Sequence, residues 1–393
     1  MIHLTLNLPA ESVMKKICFN YRGMNAQAIL HTHCNLRCKF CFETKSGGIR
    51  ENNKINVDYI RKLPRDIFDT IFPTMQKFNI IYFNMNIMGG ELFSDDIPDE
   101  IFDEYYNFAS AMKEMIHENY PDATIRFKCL SNGVYKNLDR VIQFLDLFES
   151  KIILSYDPID RFSCDQQKQI WKNTFDYFKN KEKYKLTLSI VLTKKTILEY
   201  FDDPLFITLG NMIYTDTNIY VPRLDYQEYL PSDDDLFNFY QWCIDHELFN
   251  ISMVHNLFIA AIHNINTSSC GRKSDFIFGE DFLKKYNSNF VDKCTEESPI
   301  PKDEYYGYYS DEIKDVCDCA RYKRPIGLQK RGCFTCEHFK YCPKMCWTQI
   351  LFQHYPLGEC PFKRTIDLIQ NNKDLGKQFD AWRKEYDSYH STI

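Results

Sequence analysis

Three cysteines, Cys34, Cys38 and Cys41, fall in the run His33-Cys34-Asn35-Leu36-Arg37-Cys38-Lys39-Phe40-Cys41-Phe42-Glu43. With three and then two residues between them, one short loop can set three thiolates around one face of a cube-like iron–sulfur cluster. A [4Fe–4S] cluster has four irons, each normally bound by a cysteine. Three ligands from a tight loop leave one iron for a ligand that is not protein, which suits a catalyst better than an electron carrier. The apolar run Ala26–Leu30 before the loop reads as a strand, so the thiols would sit on a fixed sheet edge. The competing reading is a zinc knuckle, for which His31 and His33 could complete the four N/S ligands that zinc takes.

The 393 residues can bury a sizeable core in one large or two medium domains. Net charge is −6 with no basic tract, which argues against nucleic acid as a partner. No run of 18 apolar residues exists, so a membrane span is not expected. The first residues lack a secretory pattern, and a cytoplasmic protein is expected. Sixteen cysteines in such a chain point to metal or cluster ligation instead of disulfides.

Residues 26–223 alternate between short apolar runs and longer helical stretches. Strands are expected at Ala26–Leu30, Ile80–Met88, Ala123–Leu130, Lys151–Tyr156, Leu186–Leu192 and Ile219–Arg223. Helices are expected at Val57–Phe78, with Pro64 an early break, and at Pro98–Glu118, Leu138–Phe148 and Asp165–Asn180. This alternation implies parallel βαβ units, with chemistry at the C-terminal strand ends. Residues 233–264 read as helical. From Cys270 to Cys360 regular periodicity fades and nine cysteines fall in 91 residues, a module held by metal more than by an apolar core. Thr365–Tyr389 is amphipathic and reads as a closing helix.

Gly89-Gly90-Glu91 follows the second strand, where glycines admit a close backbone approach and a carboxylate can accept from an ammonium. Ser131-Asn132-Gly133 closes the third strand, and Asn-Gly is also a common turn pair. Leu154-Ser155-Tyr156-Asp157-Pro158 ends the fourth. The C-x3-C-x-aromatic-C loop, with Phe40 as its aromatic, together with these three strand ends resembles the radical S-adenosylmethionine (SAM) superfamily. The resemblance implies a partial (β/α)6 barrel. It implies that Cys34, Cys38 and Cys41 hold a [4Fe–4S] cluster whose free iron chelates SAM. Gly89, Gly90 and Glu91 would meet the SAM amino group, and Ser131 and Asn132 would lie near its ribose. Ser155 would be a further contact, and Lys168 would stand where an arginine usually meets the SAM carboxylate. Lysine offers a point charge in place of a bidentate fork. Asp157 would serve the substrate as a catalytic base, or be a plain turn residue.

A second pattern is Cys333-x2-Cys336-x5-Cys342-x3-Cys346 followed by Cys360, with Cys270 and Cys294 upstream. It resembles the SPASM domain, which holds two auxiliary [4Fe–4S] clusters; Asn289 stands where glycine is usual. The resemblance implies Cys333, Cys336, Cys342 and Cys360 around one cluster and Cys270, Cys294 and Cys346 around the other. Cys317 or Cys319 would complete the second, or one iron stays open. Four thiols at this spacing could also form a zinc ribbon. Cys18, Cys129, Cys164 and Cys243 read as small buried hydrophobes, and His338 as a neighbour of the cluster loop and not a ligand.

The domain order expected is an N-terminal extension (1–25), the radical SAM partial barrel (26–232), a helical bridge (233–269), the SPASM domain (270–365) and a C-terminal helix (366–393). The implied activity is reductive cleavage of SAM to a 5′-deoxyadenosyl radical that abstracts hydrogen from a substrate. A ribosomally made peptide undergoing crosslinking or other modification is the first expectation for that substrate. The implied partners are a flavodoxin- or ferredoxin-type reductant and, since about 25 residues precede the first strand, a separate peptide-recognition protein. Alternatives are a sulfatase-maturase-like enzyme forming formylglycine from Ser or Cys, a small-molecule radical SAM dehydrogenase, and a multi-cluster electron carrier. After anaerobic cluster reconstitution, about twelve irons with matching sulfide per chain are expected. Roughly four irons with bound zinc would instead make the C-terminal cysteines structural.

Overall fold

A computed structural model describes residues 23–38, 40–41, 55–157, 159–201, 203–219, 229–265, 275–278, 333–343 and 359–391. Cys18, Cys270, Cys294, Cys317, Cys319 and Cys346 lie outside the described residues, as does Pro158.

Among the described residues the strands are β1 (Gly23–Ile29), β2 (Tyr82–Met88), β3 (Thr124–Ser131), β4 (Lys151–Tyr156), β5 (Thr187–Leu192), β6 (Thr215–Ile219) and β7 (Asp275–Phe278). They form one sheet in the order β6-β5-β4-β3-β2-β1-β7, and every pairing is parallel. Strands β1 to β6 are neighbours in chain order, so each crossover winds the sheet the same way and gathers the C-terminal strand ends along one edge.

The helices between them are α1 (Val57–Phe78), α2 (Asp99–Asn119), α3 (Leu138–Leu147), α4 (Asp165–Phe178), α5 (Lys194–Tyr200) and α6 (Pro204–Met212). Local chemistry sets their ends. The Asn56 side chain accepts from the Tyr59 backbone N–H, and Asn79 closes α1 in the left-handed region at φ 49°. Thr193 and Thr196 form a reciprocal cap at the start of α5. Contrary to the expected break, α1 runs through Pro64 and Pro73. An interior proline costs roughly 3 kcal/mol, but Ile60, Leu63, Ile67, Ile71 and Met75 on the same helix are fully buried, and that burial outweighs the lost hydrogen bond.

The sixth strand ends at Ile219 and does not begin there as expected. The residues beyond it up to Arg223 lie outside the described part. Two helices, α5 and α6, fill the gap after β5. The short strand β7 adds to the free edge of β1 and was not anticipated. Its four residues are too few for a period-2 signal.

The helical stretch 233–264 is two helices, α7 (Asp233–Asp245) and α8 (Ser252–His263). The closing helix is likewise two, α9 (Pro361–Asn371) and α10 (Lys373–Ser391), parted at Asn372. Helix α8 shields the open edge of β6: Thr215 N–H donates to the Asn250 carbonyl at 3.1 Å and Thr217 N–H to Ser252 Oγ at 3.0 Å. Unpaired edge groups are thereby satisfied. Helix α9 packs on α7 and α8, and Phe379 of α10 stacks on Phe258 at 4.7 Å. Ile366 lies fully buried in that layer. Ile366→Ala is expected to lower unfolding free energy by about 2–5 kcal/mol, read from denaturant titration.

Candidate functional site

The cysteine loop is stitched to the end of β2 by backbone alone. Leu30 N–H donates to the Met88 carbonyl at 2.9 Å, Gly90 N–H to the His31 carbonyl at 2.9 Å, and Glu91 N–H to the His33 carbonyl at 2.8 Å. The approach is so close that a Cβ on Gly89 would lie 2.7 Å from the His31 oxygen. Glycine is therefore required there by contact. Cys34 and Cys38 are buried and Cys41 is half-buried. Arg37 lies on the exposed side of the loop and caps the Cys34 and Leu36 carbonyls at 2.7 and 3.0 Å.

Glu91 is fully buried, and its carboxylate joins two strand ends. Oε1 accepts from Phe93 N–H at 3.1 Å and from Ser131 Oγ at 2.9 Å, while Oε2 accepts from Asn132 N–H at 2.5 Å. Burial pushes its pKa up to about 7 against those three hydrogen bonds. Ser131 Oγ also accepts from Gly133 N–H at 3.0 Å. Gly133 sits at φ +73° under the Trp171 ring, a backbone state and a contact that both demand glycine. Trp171 donates from its indole nitrogen to the Ser155 carbonyl at 3.0 Å, which ties α4 to the end of β4.

The turn after β4 carries the strongest charges. Asp157 is fully buried. Its Oδ1 accepts from the Ile159 and Asp160 N–H groups at 3.0 and 2.9 Å, and its Oδ2 has no partner among the described residues. Burial raises its pKa to about 6, and the Arg161 guanidinium pulls the other way. Arg161 is itself 9% exposed. Its guanidinium stands 5.3 Å from the Phe40 ring centre, and its Nε has no partner among the described residues. Burial pushes the Cys38 thiol up to about 12, with Arg161 the main opposing charge.

Thus Cys34, Cys38, Cys41, Phe40, Gly89, Gly90, Glu91, Ser131, Asn132, Ser155 and Asp157 lie along one edge of the sheet. Lys168 does not share their burial: it is exposed on the first turn of α4. Arg161 escaped the sequence reading. The only hint was an arginine four residues beyond Asp157 in a short strand-to-helix turn. Cys129 and Cys243 are buried as expected, but Cys164 is exposed because it caps α4 from outside.

In the C-terminal region the described cysteines are Cys333, Cys336, Cys342 and Cys360, all half-buried. Cys360 is the N-cap of α9, where the helix dipole favours a thiolate. Buried His338 links the loop to α9 through Asp367 Oδ1 at 2.5 Å and contacts Tyr341 Oη at 2.6 Å. Glu337, His338 and Asp367 place ligand atoms within 4.8 Å of one another. Lys363 already supplies a cation there, at 2.9 Å from Glu337 and 2.8 Å from Asp367.

No family model and no curated protein matches the chain. Solved structures do. anSMEcpe with bound AdoMet superimposes with TM-score 0.56 at 14% identity, over 92% of this chain and 97% of that one. anSMEcpe with AdoMet and the Kp18Cys peptide gives TM-score 0.56 at 14% identity, over 91% and 99%. With the Cp18Cys peptide the values are 0.52 and 14%, over 94% and 100%. This chain shares the fold of those structures, a partial barrel of parallel strands with helices.

Within this fold the thiol loop fits an iron–sulfur cluster: two of its three cysteines are buried, and a buried guanidinium stands ready to balance thiolate charge. The orphaned Asp157 Oδ2 and Arg161 Nε fit a zwitterionic ligand beside it, since buried polar groups are costly unless paired. No helix among the described residues is long and apolar enough to cross a membrane.

Because the folded pKa of Asp157 lies near 6, above the ordinary carboxylate value, its ionisation costs stability. The contribution is favourable below about pH 4 and is lost as pH rises through about 6. Asp157→Asn, which keeps the Oδ1 acceptor, should exceed wild type in stability above pH 6, by at most roughly 3 kcal/mol. The gap should close below pH 4 in denaturant titrations.

Proposed function

We propose that this chain is a radical SAM enzyme that modifies a peptide. The observation that carries the reading is the convergence, on one sheet edge, of the three-thiol loop, the Gly-Gly-Glu and Ser-Asn-Gly turns, and the buried Asp157–Arg161 turn. An electron carrier needs the thiols but has no use for the other three. Cys34, Cys38 and Cys41 would hold a [4Fe–4S] cluster, which when bound supplies an electron to SAM for radical formation.

The protein's own part is binding and orientation. Gly89 and Gly90 let the cysteine loop pack directly against the β2 end, and Ser155 closes the other side. The cation for the SAM carboxylate comes from Arg161 in this reading, since Lys168 is exposed while Arg161 is buried with an unpaired donor. Cys333, Cys336, Cys342 and Cys360 would serve an auxiliary cluster, with Cys270, Cys294 and Cys346 at a second, and a flavodoxin- or ferredoxin-type protein would supply electrons.

A peptide substrate is favoured by the peptide-bound states of anSMEcpe, to which this chain is similar in fold. Crosslinking of a ribosomally made peptide is the first reading. Formylglycine formation at Ser or Cys is the second, favoured by Asp157, a buried carboxylate with one unengaged oxygen suited to accept a proton.

Under anaerobic reducing conditions the reconstituted protein is expected to release 5′-deoxyadenosine from SAM, and Cys34→Ala to release none. Arg161→Gln should weaken SAM binding at least about tenfold, the value of one charge-assisted hydrogen bond, while Lys168→Gln changes it less than about twofold. The reverse order would return the carboxylate contact to Lys168, and no 5′-deoxyadenosine from wild type would leave an electron carrier.

A further inference from the structure

The end of β3 does more than form a turn. Asn132 is buried, with 6% exposure, and each polar atom of its side chain is engaged. Oδ1 accepts from Val134 N–H at 2.8 Å. Nδ2 donates to Asn35 Oδ1 at 2.8 Å and to Cys34 Sγ at 3.6 Å. A primary amide has two N–H donors, and these two contacts use both.

The orientation of the amide is fixed by backbone and not by choice. Oxygen and nitrogen of an asparagine are told apart by their hydrogen-bond partners. Val134 N–H can only donate, so the atom facing it is Oδ1 and the sulfur faces Nδ2. The Val134 carbonyl can only accept, and Asn35 meets it with Nδ2 at 2.5 Å, which turns Asn35 Oδ1 toward Asn132. The two amides therefore lock each other, and one N–H is left aimed at Cys34.

Cys34 Sγ also accepts from Leu36 N–H at 3.4 Å. Asn132 in turn is anchored through its own N–H to the buried carboxylate of Glu91 at 2.5 Å. The chain of contacts thus runs Glu91, Asn132, Cys34, and connects three strand ends.

We propose that Asn132 is a positioning residue for the N-terminal cluster: its side-chain N–H···S hydrogen bond holds Cys34 and raises the cluster's reduction potential. This rests on the reading of Cys34, Cys38 and Cys41 as cluster ligands. A donor to a thiolate sulfur withdraws negative charge, which favours the more negative reduced cluster. With its amide spent in this way, Asn132 holds the cluster ligand and does not contact the SAM ribose through its side chain.

The test is an EPR-monitored redox titration of the full-length reconstituted protein, with the SAM-responsive signal assigned by its loss in Cys38→Ala. Asn132→Asp keeps the acceptor for Val134 N–H but turns a carboxylate toward the sulfur. Asn132→Ser can still accept from Val134 N–H but does not reach Cys34. At the potential where the wild-type cluster is half reduced, the reduced-to-oxidised ratio is expected to fall about tenfold in Asn132→Asp, equivalent to about 59 mV for a one-electron couple. In Asn132→Ser it is expected to fall less, and the g-values of the reduced signal should shift in both. Full iron content with an unmoved potential and unmoved g-values in Asn132→Ser overturns the proposal even if Asn132→Asp fails to assemble. A wild-type protein with no SAM-responsive cluster signal overturns the underlying ligand reading instead.

Discussion

A buried carboxylate is the pivot of the site. Glu91 has no access to solvent, so its charge must be met by donors or be given up. The donors it finds are Phe93 N–H, Ser131 Oγ and Asn132 N–H. These belong to the turns that end β2 and β3, so satisfying one side chain fixes both strand ends. The cysteine loop is tied to the same place by backbone pairing across Gly90 and Glu91. The strand ends are here held by hydrogen bonds that burial makes costly to break.

Charge is distributed along the edge with the same economy. Arg161 faces Cys38, Asp157 and Glu91, lowering the pKa of each against the desolvation that raises it. Neither Asp157 Oδ2 nor Arg161 Nε is satisfied among the described residues. Unpaired buried groups of opposite sign persist in a folded chain when a ligand completes them, and a zwitterionic cofactor has both complements. Nearby, Trp171 packs against Tyr156 at 4.8 Å and Phe175 at 5.4 Å.

The C-terminal helices serve the sheet as much as the cysteine-rich segment. Helix α8 protects the β6 edge, α9 covers α7 and α8, and α9 begins at Cys360. His338 through Asp367, and Glu337 through Lys363, hold the Cys333–Cys342 loop to α9. A loop that presents thiols is thereby anchored to the main core by a helix whose other face is buried.

From the sequence alone, the alternation of apolar runs and helical stretches sufficed for strands β1 to β5, because period-2 and period-3.6 patterns each bury one face. The strand-end motifs around Cys34–Cys41, Gly89–Glu91 and Ser131–Gly133 were legible for a related reason: tight turns and thiol loops need particular residues at fixed offsets. The breaks at Asn372 and between α7 and α8, the early end of β6, and strand β7 were not, since short elements take their conformation from neighbours. Lys168 against Arg161 shows the limit most clearly. Both are cations near the same strand end in sequence, and only the direction in which α4 leaves the sheet buries one and exposes the other. The same holds for Asn132: its turn was written in the residues, but which sulfur its amide faces depends on Asn35 meeting Val134 and Asn132, 99 and 97 positions away, contacts made only when the chain is folded.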